Sequence, residues 1–385
     1  MTSPAQLLLV GLGWFPTTPG GLDRYLYELM QQLVAEGDRI ALCGSGLPET
    51  SHQEAISLIN LADPKDPLLQ RLYIARQRFR DRLSQLPRPD AINLHFALYS
   101  FPLLQDLPTG VPITFNFQGP WALESQQEGA KPWNVAFKRW LEGRVYRQCD
   151  RFIVLSDAFG EILHREYTIP WEQIHVIPAG VDVERFQANL TRQQAREALG
   201  FPPDRQILFV PRRLVQRMGI DILLQALVTV RSKVPDVWLA IAGKGALRPV
   251  LEQQAQELGL QDHVKFLGYV PDEQLPIAYQ SADLTVVPSQ SLEGFGLILL
   301  ESLACGTPVL STPVGGMPEV LRPFQSTLVT ETPTAEALAT RLIDLLTGAI
   351  PLPDRAACRA YAVNNFDWKI IAPKVREILL MPVDY

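Results

Sequence analysis

Cysteine is scarce in this chain: Cys43, Cys149, Cys305 and Cys358 are the only four in 385 residues, and no two form a C-x-x-C pair. Such scattered thiols argue against a disulfide framework or a thiolate metal site and suit a reducing compartment. Long apolar runs are also missing, since none approaches the ~20 residues a membrane span requires. The first apolar run, Leu7 to Val10, has no basic leader and leads straight into Gly11 and Gly13. It reads as a first strand and not as a signal peptide, so a cytoplasmic protein is expected. Nor is there an excess of positive charge: 35 basic against 41 acidic residues give a formal net charge of -6. That balance argues against a general nucleic-acid binder, which would normally carry a basic domain. With 47% hydrophobic and 20% charged residues the composition is that of a globular chain, and 385 residues exceed one ordinary core, so two domains are expected.

What is present is a repeated strand, loop and helix pattern. Residues 6–10 form an apolar run, a glycine and proline loop follows through Gly21, and Leu22, Tyr25, Leu26, Leu29 and Leu33 then recur at helical spacing. The same sequence of events restarts at residues 207–210, with a loop over 211–219 and then Ile220, Leu223, Leu224, Leu227 and Val228 on one helical face. Further strands are expected at 40–43, 91–94, 113–117 and 152–155 in the first half, and at 237–242, 264–267, 284–287 and 309–310 in the second. Helix-length spacers between them favour parallel sheets. Polar residues 188–203, ending in Gly200-Phe201-Pro202-Pro203, suggest the boundary.

The stretch with most chemistry is residues 289–319, S-Q-S-L-E-G-F-G-L-I-L-L-E-S-L-A-C-G-T-P-V-L-S-T-P-V-G-G-M-P-E. It places Glu293 and Glu301 around a glycine-bearing turn that opens a helix. Their separation is at most roughly 12 Å along a helical axis, and they do not share a face. They are therefore expected to touch different parts of one extended ligand. Gly294 and Gly296 allow close backbone approach, and the free N–H groups of a starting helix suit a phosphate. A phosphate-centred ligand with hydroxyls at both ends is a nucleotide sugar. The plainer alternative is a buried helix start whose glutamates cap neighbouring amides.

The motifs E-G-F-G-L-I-L-L-E, A-C-G-T-P-V and V-G-G-M-P-E resemble the donor-site signature of glycosyltransferase family 4, retaining enzymes of GT-B fold. Similarity extends to V-I-P-A-G-V-D at 176–182, P-R-R-L-V-Q-R-M-G at 211–219, A-G-K-G-A-L-R at 242–248 and V-K-F-L-G-Y-V-P at 264–271. The resemblance implies an α/β GT-B architecture, two facing Rossmann-like doubly wound domains with a cleft between them that closes on substrate. Residues 1–190 would form the acceptor domain and 203–366 the nucleotide-sugar domain, with 367–385 returning as a helix to the first. It further implies that Glu301 binds the ribose hydroxyls and Glu293 the sugar, that the amides around Phe295, Gly296 and Leu297 face sugar or phosphate, and that Gly20 and Gly21 approach the diphosphate. Arg213, just past a strand, is the expected diphosphate cation, since a guanidinium pairs with two oxygens and stabilises a leaving nucleotide. Exposed loop arginine is the alternative.

Two positions depart from the family pattern. Met218 stands where the family offers a lysine before the glycine, and Arg217 or Arg212 would have to compensate. Gln118, in T-F-N-F-Q-G-P-W, stands where a histidine is usual and cannot titrate. Because retaining members are thought to let the departing phosphate assist the incoming hydroxyl, Gln118 is kept with Arg213 and Glu293 as a catalytic candidate. His95 and Asn116 are candidates for the acceptor side, against the alternative of satisfied structural groups.

Arg71, Arg76, Arg78, Arg80, Arg82 and Arg88 make one basic run, and Lys131, Trp133, Phe137, Lys138, Arg139, Trp140, Arg144 and Arg147 a basic and aromatic one. They read as solvated helix faces or as a peripheral contact with an anionic membrane. The reading is a metal-independent, retaining hexosyltransferase without a cofactor. Its donor would be a nucleoside diphosphate sugar, UDP first and GDP not excluded, and its acceptor a saccharide or lipid-linked hydroxyl. Rivals are a non-catalytic binding or regulatory protein, motivated by Met218 and Gln118, a GT-B epimerase or phosphorylase, and a glycosidase, for which the phosphate features have no use.

Overall fold

The computed structural model describes residues 3–383 other than 16, 18, 19, 52, 188 and 189. It divides into two compact units, Met1–Gly180 with Trp368–Tyr385, and Val181–Asp367. The division falls ahead of the polar segment 188–203, whose first two residues lie outside the described ones.

The first unit is built on a seven-stranded sheet: β1 (Gln6–Val10), β2 (Arg39–Ser45), β3 (Ile56–Ala62), β4 (Ala91–Leu94), β5 (Ile113–Phe117), β6 (Arg151–Val154) and β7 (Ile174–Val176). Their order is β3-β2-β1-β4-β5-β6-β7, and every pairing is parallel. The second unit holds five strands: β8 (Gln206–Pro211), β9 (Val237–Ala242), β10 (Val264–Gly268), β11 (Leu284–Val287) and β12 (Val309–Ser311), in the order β10-β9-β8-β11-β12, again all parallel. Expected strands therefore form where the apolar runs put them, within two residues at each end. β3 and β7 were not expected. β3, at the sheet edge, is interrupted by exposed Ser57 and Asn60, and β7 has only three residues, so neither shows a continuous apolar run.

Burial explains the sequence character of the central strands. All six residues of β9 and all four of β4 and β11 are buried, as strands covered on both faces must be. In the second unit Leu208, Val210, Leu239, Ile241, Leu284 and Val286 meet Leu223, Leu224 and Leu227 of the helix Ile220–Lys233 and Leu338, Leu342 and Leu345 of the helix Ala335–Leu346. In the first, Leu8, Val10, Ile92, Leu94, Phe115 and Phe117 form the corresponding layer.

The helix Trp368–Leu380 belongs to the first unit. Trp368 is 1% exposed, its indole N–H donates to Glu28 at 2.6 Å, and its ring lies 5.1 Å from that of Tyr25. Arg376 grips both oxygens of buried Asp38 at 2.7 and 2.8 Å, and Asp38 also accepts from the Ala5 amide at 2.9 Å. Among the described residues no helix is long and apolar enough to cross a membrane.

Each sheet contains one point where the strand order reverses, between β1 and β4 and between β8 and β11. Loops leaving the carboxyl ends of the two strands at such a point diverge and leave a crevice for ligand. The crevice positions are thus fixed by topology before any side chain is considered.

Candidate functional site

In the second unit the two loops at the reversal point are those after β8 and β11, and they carry Arg212, Arg213 and Arg217, and Ser289 and Glu293. Backbone contacts knit them together. The Arg212 amide donates to Ala242 at 2.8 Å and the Leu214 amide to Lys244 at 2.9 Å, so the first loop is pinned against the one after β9. On its other side the Gln290 amide donates to the Arg217 carbonyl at 2.8 Å. Gly219 has φ 69°, and a Cβ there would fall 1.9 Å from the Pro288 carbonyl oxygen, so only glycine lets the loops meet. Gly315 has φ 56° and is packed on the Glu293 carbonyl, 1.7 Å from where its Cβ would stand. These two close approaches account for M-G in the first loop and V-G-G in the last. At Gly20 a Cβ would make only an ordinary contact, 3.6 Å from Asp23.

Adjacent residues leaving a strand point to opposite sides, and the two arginines after β8 behave so. Arg212 is 9% exposed and its guanidinium pairs with Glu293 and hydrogen-bonds Ser289. Arg213 is exposed. Ser289 also donates to Glu293 at 3.3 Å. Burial by itself would raise the Glu293 carboxyl, but Arg212, with Arg217 and Ser289, outweighs it and holds the pKa below the usual carboxylate value. Glu293 is therefore an anion at neutral pH. Its backbone is set by Leu292, which has φ 47°, a left-handed conformation costing an L-residue about 1 to 2 kcal/mol. Arg217 Nη1 donates to the Leu292 carbonyl at 3.0 Å. Met218 is 4% exposed, so the side chain at the family's lysine position is turned into the core.

The helix Leu297–Ala304 starts after Gly296, and Glu301 lies on it, 4% exposed. The Tyr279 hydroxyl donates to Glu301 Oε2 at 2.7 Å and orients it. Phe295 is buried against Phe366, rings 6.1 Å apart, which anchors the turn that presents the Gly296 and Leu297 amides. The structure thus brings Arg213, Arg217, Glu293, Gly294, Phe295, Gly296, Leu297 and Glu301 onto neighbouring elements of one unit. Sequence reasoning gave Arg212 only a compensating part and gave Ser289 and Tyr279 no role. Two adjacent arginines announce that one faces inward, but not which. Tyr279 lies 22 residues from Glu301 and carries no local signal.

The remaining candidates lie in the first unit: Gly20, Gly21 and His95 follow β1 and β4, the strands at its own reversal point, while Asn116 and Gln118 lie on and just after β5. Gly20 precedes the helix Gly21–Ala35, whose buried Asp23 accepts from the Gly13 amide at 2.8 Å. Burial raises the pKa of Asp23, and the Gly13 amide opposes that. His95 follows β4. The Asn93 amide donates to the Thr114 carbonyl at 3.1 Å, so its oxygen accepts, from His95 Nε2 at 2.6 Å and from Asn116 at 3.4 Å. That fixes the proton on Nε2. Burial pushes the His95 pKa down to about 3, so the ring is a neutral, non-titrating acceptor at Nδ1. Gln118 follows β5 and is half-buried.

A model described as Glycosyltransferase Family 4 matches residues 19–185, and one described as Glycosyl transferases group 1 matches 191–364.

The chain belongs to glycosyltransferase family 4. Among its relatives is a GDP-mannose-dependent alpha-(1-6)-phosphatidylinositol monomannoside mannosyltransferase of Mycolicibacterium smegmatis, 34% identical over 54% of this chain and 57% of the relative. The chain spans about two to three fifths of the curated relatives it matches, 40 to 62% of their lengths. In fold it is similar to a sucrose-phosphate synthase of Thermosynechococcus elongatus, with TM-score 0.81, 23% identity and coverage of 97% of this chain and 98% of that one. It is also similar to HepE of Anabaena in complex with UDP-glucose, with TM-score 0.76, 20% identity and coverage of 97% and 99%. Both are two-sheet GT-B structures, and the fold of this family 4 member is GT-B.

Proposed function

We propose that this family 4 glycosyltransferase moves a hexose from a nucleoside diphosphate sugar to a hydroxyl of a saccharide or lipid-linked acceptor, with retention at the anomeric carbon and without a metal. The observation that carries the reading is the set of groups at the β8/β11 reversal point. An exposed guanidinium, Arg213, stands one residue from a buried one, Arg212, that holds Glu293 ionised, and Glu301 is oriented by Tyr279 on the adjoining helix. In this reading Arg213 and the Gly296 and Leu297 amides take the diphosphate, Glu301 the ribose and Glu293 the hexose hydroxyls. The bond from C1 to the phosphate oxygen breaks with its electrons on the phosphate. The acceptor oxygen bonds C1 on the same face and its proton passes to that phosphate oxygen. Arg213 stabilises the developing charge electrostatically, and no titrating residue is needed at Gln118. Arg217, already beside Leu292 and Glu293, supplies the second cation that Met218 does not.

For the base, a GDP-sugar comes first, because the relative at 34% identity is named as GDP-mannose-dependent. A UDP-sugar is the second reading, after the UDP-glucose complex of HepE, whose likeness at 20% identity speaks for the fold. The test is slow donor hydrolysis, with nucleoside diphosphate release and the first-formed hexose anomer followed by NMR for GDP-mannose and UDP-glucose. Release of the same anomer is expected. Release of the opposite anomer, or saturable donor binding with no release and no transfer, contradicts it and favours a binding protein.

A further inference from the structure

On the helix Pro132–Tyr146 three large aromatic side chains face solvent: Trp133 is 69% exposed, Phe137 44% and Trp140 52%. Positions 133, 137 and 140 lie on one helical face, so the rings form a stripe. Phe137 and Trp140 stack with centroids 6.1 Å apart, and Trp140 meets Phe101 at 5.4 Å. The helix Leu68–Leu83 packs on the same short turn, Phe101–Asp106, and exposes Leu69 and Tyr73. An exposed apolar surface of this breadth marks an interaction site.

The charge around it has one dominant sign. Lys131, Arg144 and Arg147 are exposed, and the one acid of the helix Pro132–Tyr146, Glu142, is buried and hydrogen-bonded to Tyr167 at 2.7 Å. Some cations are neutralised locally: Arg139 pairs with Glu166, and Arg76 and Arg80 share Asp106. Arg78 and Arg82 are exposed as well. This basic face belongs to a chain whose net charge is -6, so the positive charge is concentrated here and not general. Tryptophan prefers the boundary between water and hydrocarbon, and long basic side chains keep their heads at the phosphates while their stems lie along apolar surface.

We propose that this face of the first unit docks on an anionic lipid bilayer, with Trp133, Phe137 and Trp140 at headgroup depth and Lys131, Arg144 and Arg147 on the lipid phosphates. The proposal does not depend on the donor site. It would place the first unit at the surface that carries a lipid-linked acceptor.

Flotation with phosphatidylcholine vesicles, with and without phosphatidylglycerol, tests it. The full chain floats with the anionic vesicles, and brominated lipid quenches its tryptophan fluorescence. Arg144→Gln/Arg147→Gln weakens binding roughly fivefold for each cation removed, and added salt removes the same part. Trp133→Ser lowers the quenching to the part due to Trp140, and Trp133→Ser/Phe137→Ser/Trp140→Ser abolishes flotation, while Trp133→Ser keeps the wild-type melting temperature. Because Trp133 is 69% exposed and meets no other ring among the described residues, its variant remains informative should the triple variant not fold. Equal recovery with neutral and anionic vesicles, or unchanged flotation of Trp133→Ser and the triple variant, overturns the proposal. So does a dimer that the triple variant dissociates without any vesicle binding, which would make a second copy the occupant.

Discussion

Two neighbouring arginines show how one residue step separates stability from binding. Arg212 is buried and is the main counter-charge of Glu293, whereas Arg213 is exposed past the same strand. Arg212→Ala leaves a mostly buried carboxylate without its closest cation and should destabilise the fold by about 3 kcal/mol. Arg213→Ala should change stability by less than about 0.5 kcal/mol. It should still weaken donor binding roughly tenfold to a hundredfold, the loss expected of charged hydrogen bonds worth about 1.5 to 3 kcal/mol. Urea denaturation and donor titration of both variants check the contrast, and equal destabilisation by the two would refute it. The sequence marks the pair but cannot orient it, because orientation depends on which residue leaves the β8 ladder in phase with Ser289 and Glu293. The same limit applies to His95, whose place after a strand was legible while its fixation by Asn93 and Thr114 was not.

At the scale of elements, continuous apolar runs revealed the central strands, since a strand covered on both faces must be apolar throughout. β3 and β7 escaped because they sit at sheet edges or are short. The glycines that matter most were also hidden. Residues 294 and 296 drew the reading, yet much tighter contacts are at Gly219, Gly243 and Gly315, where one loop touches another far along the chain. The terminal helix Trp368–Leu380 is held in the first unit by one buried ion pair, Arg376 to Asp38, and by Trp368. Arg376→Ala should cost about 3 to 5 kcal/mol, because it removes the counter-charge of Asp38, which is 0% exposed. A melting scan should show the loss, and a variant that melts with wild type would mean that the pair does not secure the helix.

For the whole molecule, both units follow one plan, a parallel sheet whose strand order reverses once, with Arg213, Glu293 and His95 on the loops at that reversal. Length and strand spacing pointed to two parallel-sheet units, while the GT-B plan came from the family resemblance. What does not follow is the identity of base and acceptor, because those depend on loop side chains for which periodicity gives no rule. The central claim is a nucleotide-sugar site built from Arg213, Glu293 and Glu301, and binding to the folded state alone raises the melting temperature. The most direct measurement is therefore a thermal-shift panel of GDP- and UDP-sugars against wild type, Arg213→Ala and Glu301→Ala. The account predicts that donors of one nucleotide family stabilise wild type and that both variants lose the shift. No shift from any donor, or an undiminished shift in both variants, would contradict it.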